Sequence, residues 1–222
     1  MGFSSQGWLD RLRQQRAIAV IRIDDFNVGI QMATAVAQGG IKILEITWNS
    51  DRPAALIQHL RESLPDCWIG GGTILDRNQL QEAIAAGAQF VFCPHSDRAL
   101  IDFCQDRGLP MVAGALTPTE IITAWQAGCA SVKVFPIQAV GGVSYLQHLR
   151  SPLGQIPLIP TGGVTLENAA GFIQAGAIAV GIAGALFPST LVKTNNWITI
   201  SARAQTLREA LGFTPEDGTK PI

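Results

Sequence analysis

Charge is scarce in this chain: 16 Lys+Arg and 17 Asp+Glu are spread over 222 residues, for a formal net charge of -1. A balance this even argues against nucleic acid or an anionic membrane as the main partner. Cysteine is sparse as well. Cys67, Cys93, Cys104 and Cys129 include no C-x-x-C spacing, so they read as reduced, mostly buried thiols of a cytoplasmic protein, without a zinc site or a disulfide framework. No set of His, Asp and Glu has metal-ligand spacing, and neither a metal nor another cofactor is expected. The start MGFSSQGWLDRLRQQR has no apolar signal core, and Gln6 spoils an otherwise passable myristoylation motif. Long apolar runs are absent with one exception, Ala169 to Phe187, which is uncharged over about the length of a membrane span. Gly171, Gly176, Gly181 and Gly184 punctuate it, so strand, turn and helix is the better reading.

Apolar material is plentiful, at 47% of residues against 15% charged, which rules out intrinsic disorder and supplies a core. Eight short β-branched or apolar runs recur, at 17–22, 41–47, 67–72, 89–94, 110–114, 131–136, 157–163 and 178–184. Helix-like segments separate them, including 28–38, 53–64, 77–86 and 97–107. Strands alternating with helices at this interval form βα units and a parallel sheet. A glycine precedes every second run, at Gly39, Gly87, Gly128 and Gly176, and is expected to end the preceding helix in a left-handed turn. Two strands and two helices repeated four times predict a single (β/α)8 TIM barrel occupying 1–222 as one domain. Segment 4–16 is expected to be an extra N-terminal helix closing the barrel bottom, and 195–211 an amphipathic outer helix.

Three runs carry charge where a barrel interior is packed with branched side chains. Arg22 ends the first, Glu45 sits inside ILEIT and Lys133 inside SVKVFP. By strand alternation Glu45 shares a face with Ile43 and Thr47, and Lys133 with Ser131 and Phe135. Ionised groups in such company are tolerated when paired or functional. A structural Glu45–Lys133 ion pair is therefore one account, and Arg22 snorkelling outward is another. The chemical account is more specific. A desolvated lysine shifts from about 10.4 towards 7–8 and becomes an amine able to form a Schiff base with a carbonyl. An iminium at C2 of a 2-oxo acid lets the C3–C4 bond break, and Glu45 is the candidate proton shuttle. Glycine-rich turns follow the third, seventh and eighth runs. Thr161-Gly162-Gly163 and the Gly181–Gly184 turn have the form of barrel phosphate loops, while Gly72 and Thr73 allow close backbone approach and offer a hydroxyl.

The segments AVIR, LEIT, GGGT, FCP, KVFP and PTGG, which together span nearly the whole chain, resemble the bacterial 2-keto-3-deoxy-6-phosphogluconate (KDPG) / 4-hydroxy-2-oxoglutarate (KHG) aldolases. These are metal-independent class I aldolases. The resemblance implies that Lys133 is the Schiff-base lysine and Glu45 the general acid/base. It implies that Gly72 and Thr73 hold the 2-oxo acid carboxylate, that Pro94 and Phe135 wall the pocket, and that Gly162 and Gly163 form the phosphate loop. A cytoplasmic homotrimer acting on small 2-oxo acids, with pyruvate as product, is the matching expectation.

Two positions depart from that pattern. Asn49 stands where the gluconate-type enzymes usually carry an anion-holding arginine, and Gly184 where they usually carry a phosphate-binding serine. Asn49-Ser50 instead resembles the 2-keto-3-deoxy-6-phosphogalactonate aldolases, and Arg22 is placed to take over anion binding. Losing one charge-assisted hydrogen bond costs about 1.5–3 kcal/mol, or about ten- to hundredfold in use of a phosphorylated substrate. The expected reactions are cleavage of KDPG to pyruvate and glyceraldehyde 3-phosphate, of KHG to pyruvate and glyoxylate, or of both. The galactonate aldol and decarboxylation of oxaloacetate are alternatives within the same chemistry. A phosphate-binding isomerase, or a barrel that only binds an acidic metabolite, are alternatives outside it.

Overall fold

The computed structural model describes residues 5–212; the myristoylation-like start at 1–4 lies outside them. Eight parallel strands run β1 (Ala17–Ile21), β2 (Ile43–Thr47), β3 (Trp68–Gly72), β4 (Val91–Phe92), β5 (Met111–Ala115), β6 (Ser131–Val134), β7 (Leu158–Pro160) and β8 (Val180–Ile182). Seven fall inside the corresponding apolar runs, and β5 overruns its run, 110–114, by the one residue Ala115. Consecutive strands pair from β1 to β7, and β8 pairs with β1. A bridge from Thr161 to Gly181 and a hydrogen bond from Ile178 N–H to the Leu158 carbonyl (3.1 Å) close the barrel.

The main crossover helices are α2 (Phe26–Gln38), α3 (Pro53–Ser63), α4 (Arg77–Ala85), α5 (Arg98–Gln105), α6 (Pro118–Gln126), α7 (Gly142–Arg150) and α8 (Ala169–Gln174). Their starts are written locally. Asp25, Asp76 and Asp97 each accept a hydrogen bond from the backbone N–H three residues on. Thr117 and Glu120 form a reciprocal capping box with Pro118 in the first turn. Their ends follow the repeat at Gly87, Gly128 and Gly176, with φ of 87°, 95° and 97°. The first repeat differs from expectation: Gly39 has φ of -71° and Gly40 takes the left-handed turn at 91°. Gly39 is needed for closeness instead, because a Cβ there would collide with the Ser201 carbonyl and Ala204. Both belong to the outer helix α10 (Trp197–Ala210), which buries Ile200, Ala204 and Leu207 at helical spacing. The short helix α9 (Ser189–Lys193) precedes it. The uncharged run 169–187 divides into α8, a turn and β8, and among the described residues no helix is long and apolar enough to cross a membrane.

Two apolar cores result. The larger lies between the sheet and the helices; the smaller fills the barrel bottom with Ile18, Ile43, Phe90, Phe92, Val112 and Ile159. The N-terminal helix α1 (Ser5–Gln15) plugs this inner core with Trp8 and Leu12, both fully buried. The Trp8 ring packs 4.8 Å from Phe90 and 6.1 Å from Trp68, and its indole N–H donates to Ser131 Oγ at 3.1 Å. Bulk at the bottom gives way to small residues above. Gly70, Gly72, Gly114 and Gly181 occupy upper positions where an added Cβ would strike a neighbour. Space for reactive groups is thereby confined to the end of the barrel where the strands terminate.

Candidate active site

Glu45 and Lys133 project into this upper interior, each from the third residue of its strand. Only 1% of Glu45 and 6% of Lys133 is exposed. Both places are cut to fit. Glu45 is in register with Val20 on one side and Gly70 on the other, and a Cβ on Gly72 would overlap the Glu45 carboxyl. Lys133 is in register with Gly114 and Ile159, and its ammonium nitrogen lies 5.7 Å from the Phe92 ring centre and 5.1 Å from that of Phe135.

Burial pushes the Glu45 carboxyl above the ordinary carboxylate range, outweighing the downward pull of Lys133 and then of Arg22. Its Oε1 is buried without a hydrogen-bond partner, and so is Oγ1 of Thr161. The ion pairs Arg13–Asp10, Arg52–Asp51 and Arg98–Asp102 lie at the surface, and none joins Lys133 to Glu45. A structural pair would satisfy the carboxylate. Here it is held near the lysine but uncommitted, which is the arrangement proton transfer needs.

A cavity of about 460 Å³ opens above the two. Glu45, Lys133, Thr73 and Arg22 supply its polar groups, and Pro94 and Phe135 form apolar wall. Thr161, Gly162, Gly163 and Gly184 line the side formed by the loops after β7 and β8. Thr73 has φ of 58°, a strained conformation for a β-branched residue, which directs the loop after β3 at the cavity. Gly162 and Gly163, at 88° and 85°, adopt the left-handed region. The loop is pinned from below: Thr165 N–H donates to Asn168 Oδ1 at 2.8 Å, and the Asn168 amide donates to the Gly163 carbonyl at 3.0 Å.

Two expected residues do not line the cavity. Gly72 serves instead as the surface against which Glu45 lies. Asn49 is exposed in the turn after β2, where its neighbours act on a different loop. Ser50 Oγ accepts from Ile23 N–H at 3.2 Å, and Asp51 Oδ2 accepts from Phe26 N–H at 3.1 Å. Those bonds hold the loop that carries Arg22. Ser50 and Asp51 are thus positioning residues that strand patterning had no means of finding. Val20, Val164, Thr165, Ala183 and Ala185 also line the cavity. Thr165 was detectable as the first residue of a T-x-x-N helix-start motif. His95 is not in the lining, and His59 and His148 are exposed on α3 and α7.

The chemistry of this cavity agrees with what the chain is similar to. A family profile described as KDPG and KHG aldolase matches residues 9–203. A 2-dehydro-3-deoxy-phosphogluconate aldolase of Haemophilus influenzae is 33% identical over 198 residues, which is 89% of this chain and 93% of that one. The structure of a KDPG aldolase from Legionella pneumophila, with pyruvate captured as a covalent carbinolamine, superposes with a TM-score of 0.82 at 27% identity, covering 88% of this chain and 95% of that one. A native KDPGal structure superposes at 0.79 and 28% identity, covering 87% and 93%. With a buried lysine and carboxylate at the open end of a barrel, and a family match that spans both, the chain belongs to the KDPG and KHG aldolase family.

Proposed function

We propose that this lyase cleaves 4-hydroxy-2-oxo acids through a Schiff base on Lys133, with Glu45 moving the protons. The observation that carries the reading is the pairing of a nearly buried lysine with a buried, unpartnered carboxylate in one cavity. The Lys133 amine adds to the C2 carbonyl, and loss of water gives the iminium. Glu45 takes the C4 hydroxyl proton as the C3–C4 bond breaks. The bond's electron pair becomes the enamine, and C4 departs as an aldehyde. Protonation at C3 regenerates an iminium, and water hydrolyses it to pyruvate and free lysine. Thr73 is the donor assigned to the substrate carboxylate, and Arg22 with the Gly162–Gly163 loop is assigned to the distal anion.

KDPG and KHG are the substrates this reading favours. The Asn49-Ser50 pair favours the galactonate aldol as a second substrate, and the enamine chemistry extends to decarboxylation of oxaloacetate. A cytoplasmic homotrimer is part of the same proposal, with a mass near three chains expected in sedimentation.

Incubation with pyruvate and borohydride tests the mechanism. A reduced pyruvate adduct mapping to Lys133, and missing from Lys133→Ala, is expected. A folded protein that forms no adduct would move a non-covalent isomerase or a binding protein to the front.

A further inference from the structure

A second cavity, of about 410 Å³, adjoins the first and shares Val20, Arg22, Ala183 and Gly184 with it. Its own walls are largely apolar, from Met32, Phe187 and Val192, and Lys193 also lines it. Neither Arg22 nor Lys193 has an ion-pair or hydrogen-bond partner among the described residues. Gly184 stands on the shared wall without a backbone or packing reason to be glycine. Its φ is outside the left-handed region, and an added Cβ would meet nothing within 4 Å. A glycine there leaves the shared wall without a side chain between the two cavities.

We infer that the two cavities form one substrate channel, in which the second receives an aldehyde half longer than two or three carbons. An apolar spacer would lie against Met32, Phe187 and Val192, and a terminal anion would reach Lys193. This rests on the aldolase reading, since it places the 2-oxo acid head on Lys133. The substrate class is a 4-hydroxy-2-oxo acid with an ω-anionic alkyl tail. In the synthetic direction, the enamine carbon of pyruvate bonds to the aldehyde carbon, the aldehyde oxygen takes a proton, and water releases the product from Lys133.

The test has a binding arm and a turnover arm. Hexanoate binding is measured by calorimetry on the wild type, Lys193→Ala and Ser189→Trp; positions 189 and 193 are exposed, so both variants are expected to fold. Each substitution is expected to weaken hexanoate at least about tenfold, whereas binding that survives both overturns the site. Addition of pyruvate to glyoxylate, succinic semialdehyde, adipic semialdehyde and neutral hexanal is then compared. The wild type is expected to prefer adipic semialdehyde to hexanal by about tenfold, and both variants to lose that preference with less than twofold change on glyoxylate. A flat chain-length profile despite hexanoate binding overturns the channel. A missing pyruvate–Lys133 adduct is a separate result: it sinks the aldolase reading and the substrate assignment with it.

Discussion

Glu45 titrates above the ordinary carboxylate range because burial outweighs its two cationic neighbours. The folded protein therefore binds a proton at this position more tightly than the unfolded chain does. Above the unfolded value the folded state holds more protons, so stability falls as pH rises through the window up to the folded value. Glu45→Gln removes that loss. It is expected to melt higher than the wild type near neutral pH, while kcat drops by about 10²- to 10⁴-fold for want of a proton shuttle. Thermal melts at several pH values, beside pyruvate release, read both effects; a variant that is both active and less stable would contradict them. Gly72→Ala probes the same carboxylate from the other side. Its new methyl occupies the place of the Glu45 carboxyl, so lost turnover with the Lys133 pyruvate adduct still forming is the expected pattern. Arg22→Ala is expected to raise KM for a phosphorylated substrate about ten- to hundredfold with a much smaller change in kcat. An unchanged KM would remove Arg22 from anion binding.

Among the elements, α1 gives the inner core its floor. Trp8 contributes a fully buried ring and the hydrogen bond to Ser131 Oγ. Trp8→Ala is expected to cost about 3–5 kcal/mol in urea unfolding. Since Ser131 and Lys133 share one face of β6, that loss is expected to be accompanied by weaker pyruvate trapping. A stable, fully active Trp8→Ala would mean that α1 merely covers the barrel. The turn after β2 acts at greater distance. Ser50 braces the Arg22 loop through Ile23 N–H, so Ser50→Ala is expected to raise KM severalfold and leave kcat nearly intact. Restoration by Ser50→Thr, which returns the hydroxyl, separates this bond from a general loosening of the turn.

At the scale of the molecule, the barrel separates the buried thiols from its buried charged pair. The four thiols lie in the shell between sheet and helices. Burial pushes all four up, Cys104 to about 12 and Cys129 to about 11. None is a thiolate at neutral pH, and the native protein is expected to leave a thiol reagent unconsumed until denaturant exposes all four. A fast-reacting native thiol would show that the shell opens. Lys133 and Glu45, by contrast, are buried on the inner side of the sheet with a cavity above them.

That division explains what was legible in the chain and what was not. Strand–helix alternation, the recurring glycine and the two charged strand residues are local signals, with periods and motifs that a linear string carries. They were enough to specify eight strands, an N-terminal plug and the candidate pair. Which of two adjacent glycines turns left-handed depended on α10 pressing against Gly39, more than 150 residues away in the chain. The place of Asn49 outside the cavity, the bracing of the Arg22 loop by Ser50 and the second cavity beyond Gly184 likewise depend on contacts between segments distant in sequence. Periodicity determines which face a side chain takes. Only closure of the barrel decides which side chains share a space, because the strands must first be brought around to meet.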